Sequence, residues 1–416
     1  MENKKLFENP LNHINRHMFC KNYCELSLDT NEKENELTNN HKKNKKDTFF
    51  KKISNIFGNL KSKNQKDMHI AYVLYSFPIH SETFVLNEVK YLKENGYNIV
   101  VFIRNESHKP VELDFNVEIV KFDNASELSE LLVKYNIELV HTHFVYPICT
   151  TLTYPVASKL KIPFTVFTHA YDIFTKENDE RNKIKEISES QYCKGIFTLS
   201  EFHKNYLMER GVAEDKIIIT KQATGYELSK IKTKEKPIKR IVSVSRFVEK
   251  KGLDVLINAA KILENEDFVF EIYGFGRLEN DLKNQIQELN CKNISIKGEL
   301  QPNEVRNVLI DSDLLVSPCK VARNGDMDGF PTVIFESMAV GLPILTTSVS
   351  AIPEIIQDHV NGFITEPNNP EKFADKILEV SKVPYEKMLT IRKQAQKDVK
   401  NISSVEKTMK TYFKIW

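Results

Sequence analysis

Two successive blocks of short, apolar, β-rich runs, each interleaved with helix-patterned stretches, leave few folds open to this chain. In the first block the runs are Ile70–Tyr75, Ile99–Ile103, Leu139–Phe144, Phe164–His169 and Gly195–Ser200, with helical stretches such as Thr83–Glu94 and Ala125–Lys134 between them. After the polar segment Ser229–Pro237 the pattern restarts with Arg240–Ser245, Phe268–Tyr273, Ile294–Lys297, Leu314–Ser317 and Ile344–Thr347. Strands that alternate with helices pair in parallel and must be covered on both faces. The expected fold class is therefore α/β, with two Rossmann-like doubly wound domains facing a cleft. Ligands in such sheets bind beyond the carboxyl ends of the strands. A chain of 416 residues also exceeds what one ordinary core organises.

The ends differ from these blocks. Residues 1–67 are rich in Asn, Lys and Glu, and Thr30 to Asp47 is almost free of apolar side chains, the composition of a disordered extension. Within it, Phe49, Phe50, Ile53, Ile56, Phe57 and Leu60 recur at helical spacing among lysines, which predicts a basic amphipathic helix over 48–63. Such a helix docks either on an anionic membrane surface or on the protein itself. The domain expectation is an extension over 1–67, one Rossmann-like domain over 68–232, a second over 233–395, and a C-terminal helix over 396–416 packing back on the first domain. The charged stretch Tyr385–Lys400 leads there to an aromatic tail of Tyr412, Phe413 and Trp416. Net charge is +2, which gives no global field for nucleic acid. Six cysteines, mostly isolated, suit a reducing compartment. No apolar run reaches the length of a membrane span, and the start MENKKLFENP has no leader-like apolar core. The expected location is cytoplasmic, peripheral at the inner face of the cell membrane if 48–63 docks there.

The chemistry concentrates in Asp328–Pro343, DGFPTVIFESMAVGLP. Two carboxylates, Asp328 and Glu336, flank a Gly-Phe-Pro turn that opens into a helical stretch ending at Gly341 and Pro343. A loop opening into a helix offers free amide groups and the positive end of the helix dipole to an anionic ligand. Ionised carboxylates accept two strong hydrogen bonds each and suit sugar hydroxyls. Together these features suggest a nucleotide sugar. The second block opens with a strand followed by Arg246, Lys251 and Gly252. A guanidinium fork and an ammonium at a strand's carboxyl end fit a diphosphate, although exposed surface charge is the commoner reason for an Arg and a Lys.

The pair RFVEKKG and DGFPTVIFESMAVGLP resembles the donor site of family 4 glycosyltransferases, retaining enzymes of the GT-B architecture. The resemblance runs from Met68 to the end of the chain. It implies that Arg246 and Lys251 hold the donor diphosphate and stabilise the leaving group. Asp328 would contact the transferred sugar, and Glu336 would grip the ribose. Backbone amides around Gly329, Phe330 and Thr332 would bind sugar and phosphate, since Pro331 has no N–H to give. The family usually carries Glu where Asp328 stands, one methylene longer. Gly274 and Gly276 follow a strand as G-x-G; a simple turn explains them, and the family places that segment near the nucleotide base. FPIHSETF resembles the signature of a branch that assembles bacterial exopolysaccharides, including colanic-acid-type transferases. Ser81, Glu82 and Thr83 in it read as a polar helix start facing the cleft, on the acceptor side. His143, His169 and Asp172 sit at strand ends of the same domain. By resemblance His169 lies at the catalytic cleft, and Asp172 either orients it or caps a helix locally.

Metal readings are weaker. Asp326-Met-Asp328 has the form of a metal-binding triplet, but two cations already stand in for a metal here. His141, His143 and His169 come from two strands with no obvious fourth ligand. His13, His17, Cys20 and Cys24 share one helical face, which cannot close a tetrahedral site unaided. No metal or other cofactor is expected. The function expected is transfer of a hexose from a nucleoside diphosphate sugar to a glycan or lipid-linked glycan in surface polysaccharide synthesis. The rivals are a non-catalytic nucleotide-sugar-binding subunit or scaffold, and another GT-B enzyme such as an epimerase.

Overall fold

The computed structural model describes residues 65–416, apart from 80–81, 108–110, 232–236 and 403. The readings placed on the first 64 residues, including the helix over 48–63 and the His13, His17, Cys20 and Cys24 face, lie outside the described residues, as does Ser81. Thirteen strands form two all-parallel sheets among the described residues. The first contains β1 (His69–Leu74), β2 (Asn98–Ile103), β3 (Glu118–Lys121), β4 (Leu139–His143), β5 (Phe164–Phe167), β6 (Cys193–Thr198) and β7 (Ile217–Ile219). Their order is β3-β2-β1-β4-β5-β6-β7. The second contains β8 (Arg240–Val244), β9 (Val269–Tyr273), β10 (Ile294–Gly298), β11 (Leu314–Ser317), β12 (Ile344–Thr347) and β13 (Phe363–Thr365), ordered β10-β9-β8-β11-β12-β13.

Both sheets are doubly wound, so the strand order reverses beside β1 and β8. The switch points, β1/β4 and β8/β11, are where parallel sheets open a crevice for ligands. Central strands are buried along nearly their whole length, as in β4, β5, β11 and β12, which is why they read as continuous apolar runs. The three strands that the sequence pattern misses, β3, β7 and β13, are all sheet edges. β3 exposes three of its four residues, so no apolar run marks it.

The helix Thr83–Glu94 buries Phe84, Val85, Glu88, Val89 and Leu92 against the first sheet. Helix Val405–Tyr412 lies on it, with Met409 and Tyr412 fully buried. The preceding helix, Tyr385–Ile402, still belongs to the second sheet's layer. Its Arg392 donates to the Gly341 carbonyl at 2.5 Å, and its Gln396 donates to the Ala339 carbonyl at 2.9 Å. The chain thus crosses back to the first sheet between Ile402 and Val405. Beyond it, Gln65 donates to the carbonyls of Phe413 and Trp416 at 2.6 and 3.0 Å, pinning the aromatic tail.

Candidate active site

On the second sheet the site starts where β8 ends. Arg246 is exposed, and it makes no ion pair among the described residues. A single 3-10 turn, Glu249–Lys251, follows and ends at Gly252, whose φ is +63°. A Cβ at Gly252 would stand 1.9 Å from the Pro318 carbonyl oxygen, so only glycine lets this turn press against the loop after β11. Gly274 has a parallel reason: its Cβ would fall 1.8 Å from the Ser245 oxygen. The Gly-Phe-Gly segment therefore abuts the loop that presents Arg246, which is more than a simple turn requires.

The turn delivers two lysines to the Asp326–Asp328 loop. Lys251 Nζ is 2.6 Å from Asp328 Oδ2, and Lys250 Nζ is 3.4 Å from Asp328 Oδ1 and 3.0 Å from Asp326 Oδ1. Burial pushes the Asp328 carboxyl up, but the ammonium groups of Lys251 and Lys250 overcome it and hold the group well below the usual carboxylate range. Both carboxylates of the D-x-D triplet are thus committed to lysines. Lys250 was not among the expected site residues. Its signal was the doubled lysine before Gly252, of which only the second matched the family spacing.

Helix Thr332–Val340 begins at Pro331, which accepts no side-chain cap. Its first amides, at Thr332 and Val333, have no intrahelical acceptor. Glu336 lies one turn in, half-buried, with its carboxyl pushed up by burial. It shares a groove with Tyr226, Arg306, Val305 and Leu309. Apolar side chains beside a carboxylate and a phenol suit a nucleoside.

The first sheet closes on this loop. His203, buried on helix Glu201–Glu209, packs so close to Gly329 that a Cβ there would come within 2.9 Å of its ring. Burial, then Lys221, pushes the His203 imidazole down to about 3. Lys221 Nζ lies 4.4 Å over the Phe330 ring. Glu354, from the second sheet's layer, accepts the amides of Glu201 and Phe202 at 3.2 and 2.8 Å and so caps a helix across the cleft.

His169 stands at the mouth of β5 as the N-cap of helix Ala170–Phe174 and is 6% exposed. Asp172 makes the reciprocal cap: its Oδ1 accepts from the His169 amide at 2.7 Å, and its Oδ2 accepts from the Val145 amide at 2.6 Å. The local capping alternative is therefore realised, and the same carboxylate ties the loop after β4 to the loop after β5. Burial pushes Asp172 up to about 7 against those amide bonds. Phe144, between the two loops, has φ +69°, a strained conformation for an aromatic residue, and its ring lies 4.3 Å from His169. Glu82 precedes helix Thr83–Glu94 but makes no side-chain cap, contrary to the polar-cap reading. Burial raises its carboxyl to about 7, with His143 opposing.

His143 does not face the cleft openly. It is 1% exposed and bridges His169 to Glu88, with Nδ1 3.1 Å from His169 Nε2 and Nε2 3.0 Å from Glu88 Oε2. Glu88 was missed by sequence reasoning, although a carboxylate on the apolar face of a helix is itself a signal.

The comparisons agree with this geometry. Residues 81–221 match the family model "Glycosyltransferase Family 4", and residues 227–398 match "Glycosyl transferases group 1". The amylovoran biosynthesis glycosyltransferase AmsK of Erwinia amylovora is 27% identical over 376 residues, 76% of this chain and 91% of that protein. The UDP-Gal:alpha-D-GlcNAc-diphosphoundecaprenol alpha-1,3-galactosyltransferase of Escherichia coli is 26% identical over 292 residues, 64% of this chain and 72% of its own length. Among solved structures, Anabaena Alr3699/HepE in complex with UDP superposes with a TM-score of 0.66 at 16% identity, covering 83% of this chain and 99% of its own. With two doubly wound sheets, a cation-lined loop at β8 and both family models in register with them, this chain belongs to the family 4 glycosyltransferases of the GT-B fold.

Proposed function

We propose that this glycosyltransferase moves a hexose, with retention of anomeric configuration, from a nucleoside diphosphate sugar to a glycan or lipid-linked glycan during exopolysaccharide synthesis. One observation carries the reading. At the carboxyl ends of β8 and β11, three cations (Arg246, Lys250 and Lys251) converge with only two carboxylates (Asp326 and Asp328), and Arg246 is left without an ion pair among the described residues. The surplus positive charge suits a diphosphate. Arg246 and Lys251 would take the two phosphates and stabilise the leaving group. The amides of Gly329, Phe330 and Thr332 would receive sugar and phosphate oxygens, Asp328 a hydroxyl of the transferred sugar, and Glu336 the ribose. Gly274 and Gly276 would line the base end, and Ser81, Glu82, Thr83 and His169 the acceptor side, with His169 nearest the transferred sugar; His143 and Asp172, expected on that side, are buried and would support it from behind. No protein nucleophile is assigned. The acceptor attacks from the leaving-group side, and the departing diphosphate takes its proton. Two observations support a metal-independent reaction: the lysines occupy the D-x-D carboxylates, and the cluster keeps a surplus positive charge for the diphosphate. The relatives' names support a polysaccharide context, and one names a diphospholipid-linked acceptor. A cytoplasmic location at the membrane face goes with such an acceptor.

The test is thermal-shift titration of the wild type and of Arg246→Ala/Lys251→Ala with UDP, GDP and their sugars, followed by NMR of the anomeric configuration of the product. Stabilisation by one nucleotide series, lost in the double variant, with an unchanged anomeric configuration, is the expected result. Binding without transfer to any glycan or lipid-linked acceptor would favour a non-catalytic subunit, and an inverted product would overturn the retaining mechanism.

A further inference from the structure

Behind the cleft a line of buried polar side chains runs from His169 into the core of the first domain, and the donor site uses none of it. Glu88 is fully buried; it accepts from Tyr72 Oη and from Tyr412 Oη at 3.0 Å each, and its Oε2 lies 3.0 Å from His143 Nε2. His143 Nδ1 then meets His169 Nε2 at 3.1 Å. A second set of bonds runs from the aromatic tail toward the same carboxylate and stops short of it. Trp416 Nε1 donates to Thr165 Oγ1 at 3.2 Å, Thr165 bonds His141 Nδ1 at 2.8 Å, and His141 Nε2 stands 3.9 Å from Glu88 Oε2. Between His169 at the cleft and Trp416 at the tail, all these groups are buried, so bulk water cannot repair a broken link.

Proton bookkeeping along this line favours one arrangement. The Tyr72 and Tyr412 hydroxyls both donate to Glu88, one to each of its oxygens, which suits a carboxylate, a group that only accepts. A carboxylate takes its third hydrogen bond from a proton on His143 Nε2, which leaves a lone pair at His143 Nδ1. His169 then carries its proton on Nε2, and its Nδ1 is left as an acceptor. A proton on Glu88, or a cation shared by Glu88, His141 and His143, whose ligand atoms lie within 4.8 Å of one another, would move the His143 proton to Nδ1 and reverse that order.

We infer that Glu88 and His143, braced by Tyr72 and by Tyr412 of the C-terminal tail, are positioning residues that fix His169 in a single neutral tautomer and orientation at the cleft. The Nε2 proton of His169 is then held by His143, so that nitrogen orients the ring and does not exchange its proton with substrate. Burial, then the neighbouring His143 and His203, pushes the His169 imidazole well below its ordinary value, in keeping with a neutral ring. The consequence for turnover rests on the proposed role of His169 in transfer; the tautomer itself does not.

The experiment reads the two apart. Long-range proton–nitrogen NMR of the full chain, labelled with 15N-histidine, reports which nitrogen of His169 is protonated, with His169→Ala giving the assignment. The wild type should show a protonated Nε2 and an unprotonated Nδ1. Glu88→Met removes the acceptor and should abolish that single pattern, while Glu88→Gln keeps an oxygen for His143 and an amide for the Tyr412 hydroxyl and should restore it. Should Glu88→Met fail to fold, His143→Phe cuts the same line while keeping a ring stacked on Phe167. In transfer assays Glu88→Met should lose roughly tenfold or more in kcat with donor KM within about twofold, and Glu88→Gln should recover most of it. A wild-type His169 pattern in a folded Glu88→Met or His143→Phe variant would overturn the inference. If His169→Ala transfers sugar at the wild-type rate while Glu88→Met alters the pattern, the positioning line stands and the catalytic role proposed for His169 falls.

Discussion

Replacing Asp328 with Asn tests the electrostatics of the donor loop directly. The substitution keeps the shape of the side chain and removes its charge. Lys251 Nζ, 2.6 Å from the carboxylate and only 12% exposed, loses its partner, while Lys250 keeps Asp326 at 3.0 Å. Stranding one partner of a buried pair costs about 3–5 kcal/mol, and the lower end applies because the second lysine stays paired. About 3 kcal/mol in a domain of this size corresponds to a fall in melting temperature of roughly 6–12 °C. The pH dependence has a definite sign. The folded-state pKa of Asp328 lies below its unfolded value, because the two ammonium groups outweigh burial, so its stabilisation is complete above the usual carboxylate range. It is lost only as pH falls through the depressed folded value. Calorimetric melts of wild type and Asp328→Asn should therefore stay separated by the same interval from pH 8 to pH 5. Asp328→Glu, which retains the charge, should melt much closer to the wild type. A variant melting within about 2 °C of wild type would refute the reasoning, as would an interval that closes between pH 8 and pH 6.

Two further outcomes follow from the same structure. Gly252→Ala should destabilise by more than the ~1–2 kcal/mol of a left-handed residue alone, because its Cβ meets the Pro318 oxygen at 1.9 Å, and urea unfolding should show it as a lower midpoint with unchanged slope. Asp172 is raised to about 7, so the folded state binds an extra proton between the usual carboxylate range and neutrality, and its contribution to stability should fall as pH rises through that window; Asp172→Asn should flatten that part of the stability–pH curve.

Much of this architecture is legible in the residues, and the gaps have physical causes. Central strands such as Leu314–Ser317 and Ile344–Thr347 are buried on both faces, so their apolar runs mark them within a residue. Edge strands such as Glu118–Lys121 have one side in solvent and too few buried positions to leave a pattern. The residues proposed for the donor site stand out in the sequence because they lie close together: Arg246 with Lys251, and Asp328 with Glu336. Lys250 was hidden by its neighbour, since a sequence does not reveal which of two adjacent lysines turns inward. Glu88 is visible as an anomaly on a helix face otherwise made of Phe84, Val85, Val89 and Leu92. What it answers to is not visible, because Tyr412 lies 324 positions away and nothing local announces the pairing.

That separation has a consequence for how the protein is made. Tyr412 and Trp416 complete the interior of the first domain, yet on a ribosome they emerge only after every residue of the second domain. Until then Glu88 lacks the Tyr412 hydroxyl, and the helix Thr83–Glu94 lacks the helix that lies on it. The first domain must wait in an unfinished, sticky form while the second is synthesised and folds, a setting in which chaperone contact and misassociation compete with completion. Trp416 is the one tryptophan in the chain and rests 5.4 Å from the His141 ring, so its fluorescence would time the moment at which the wait ends.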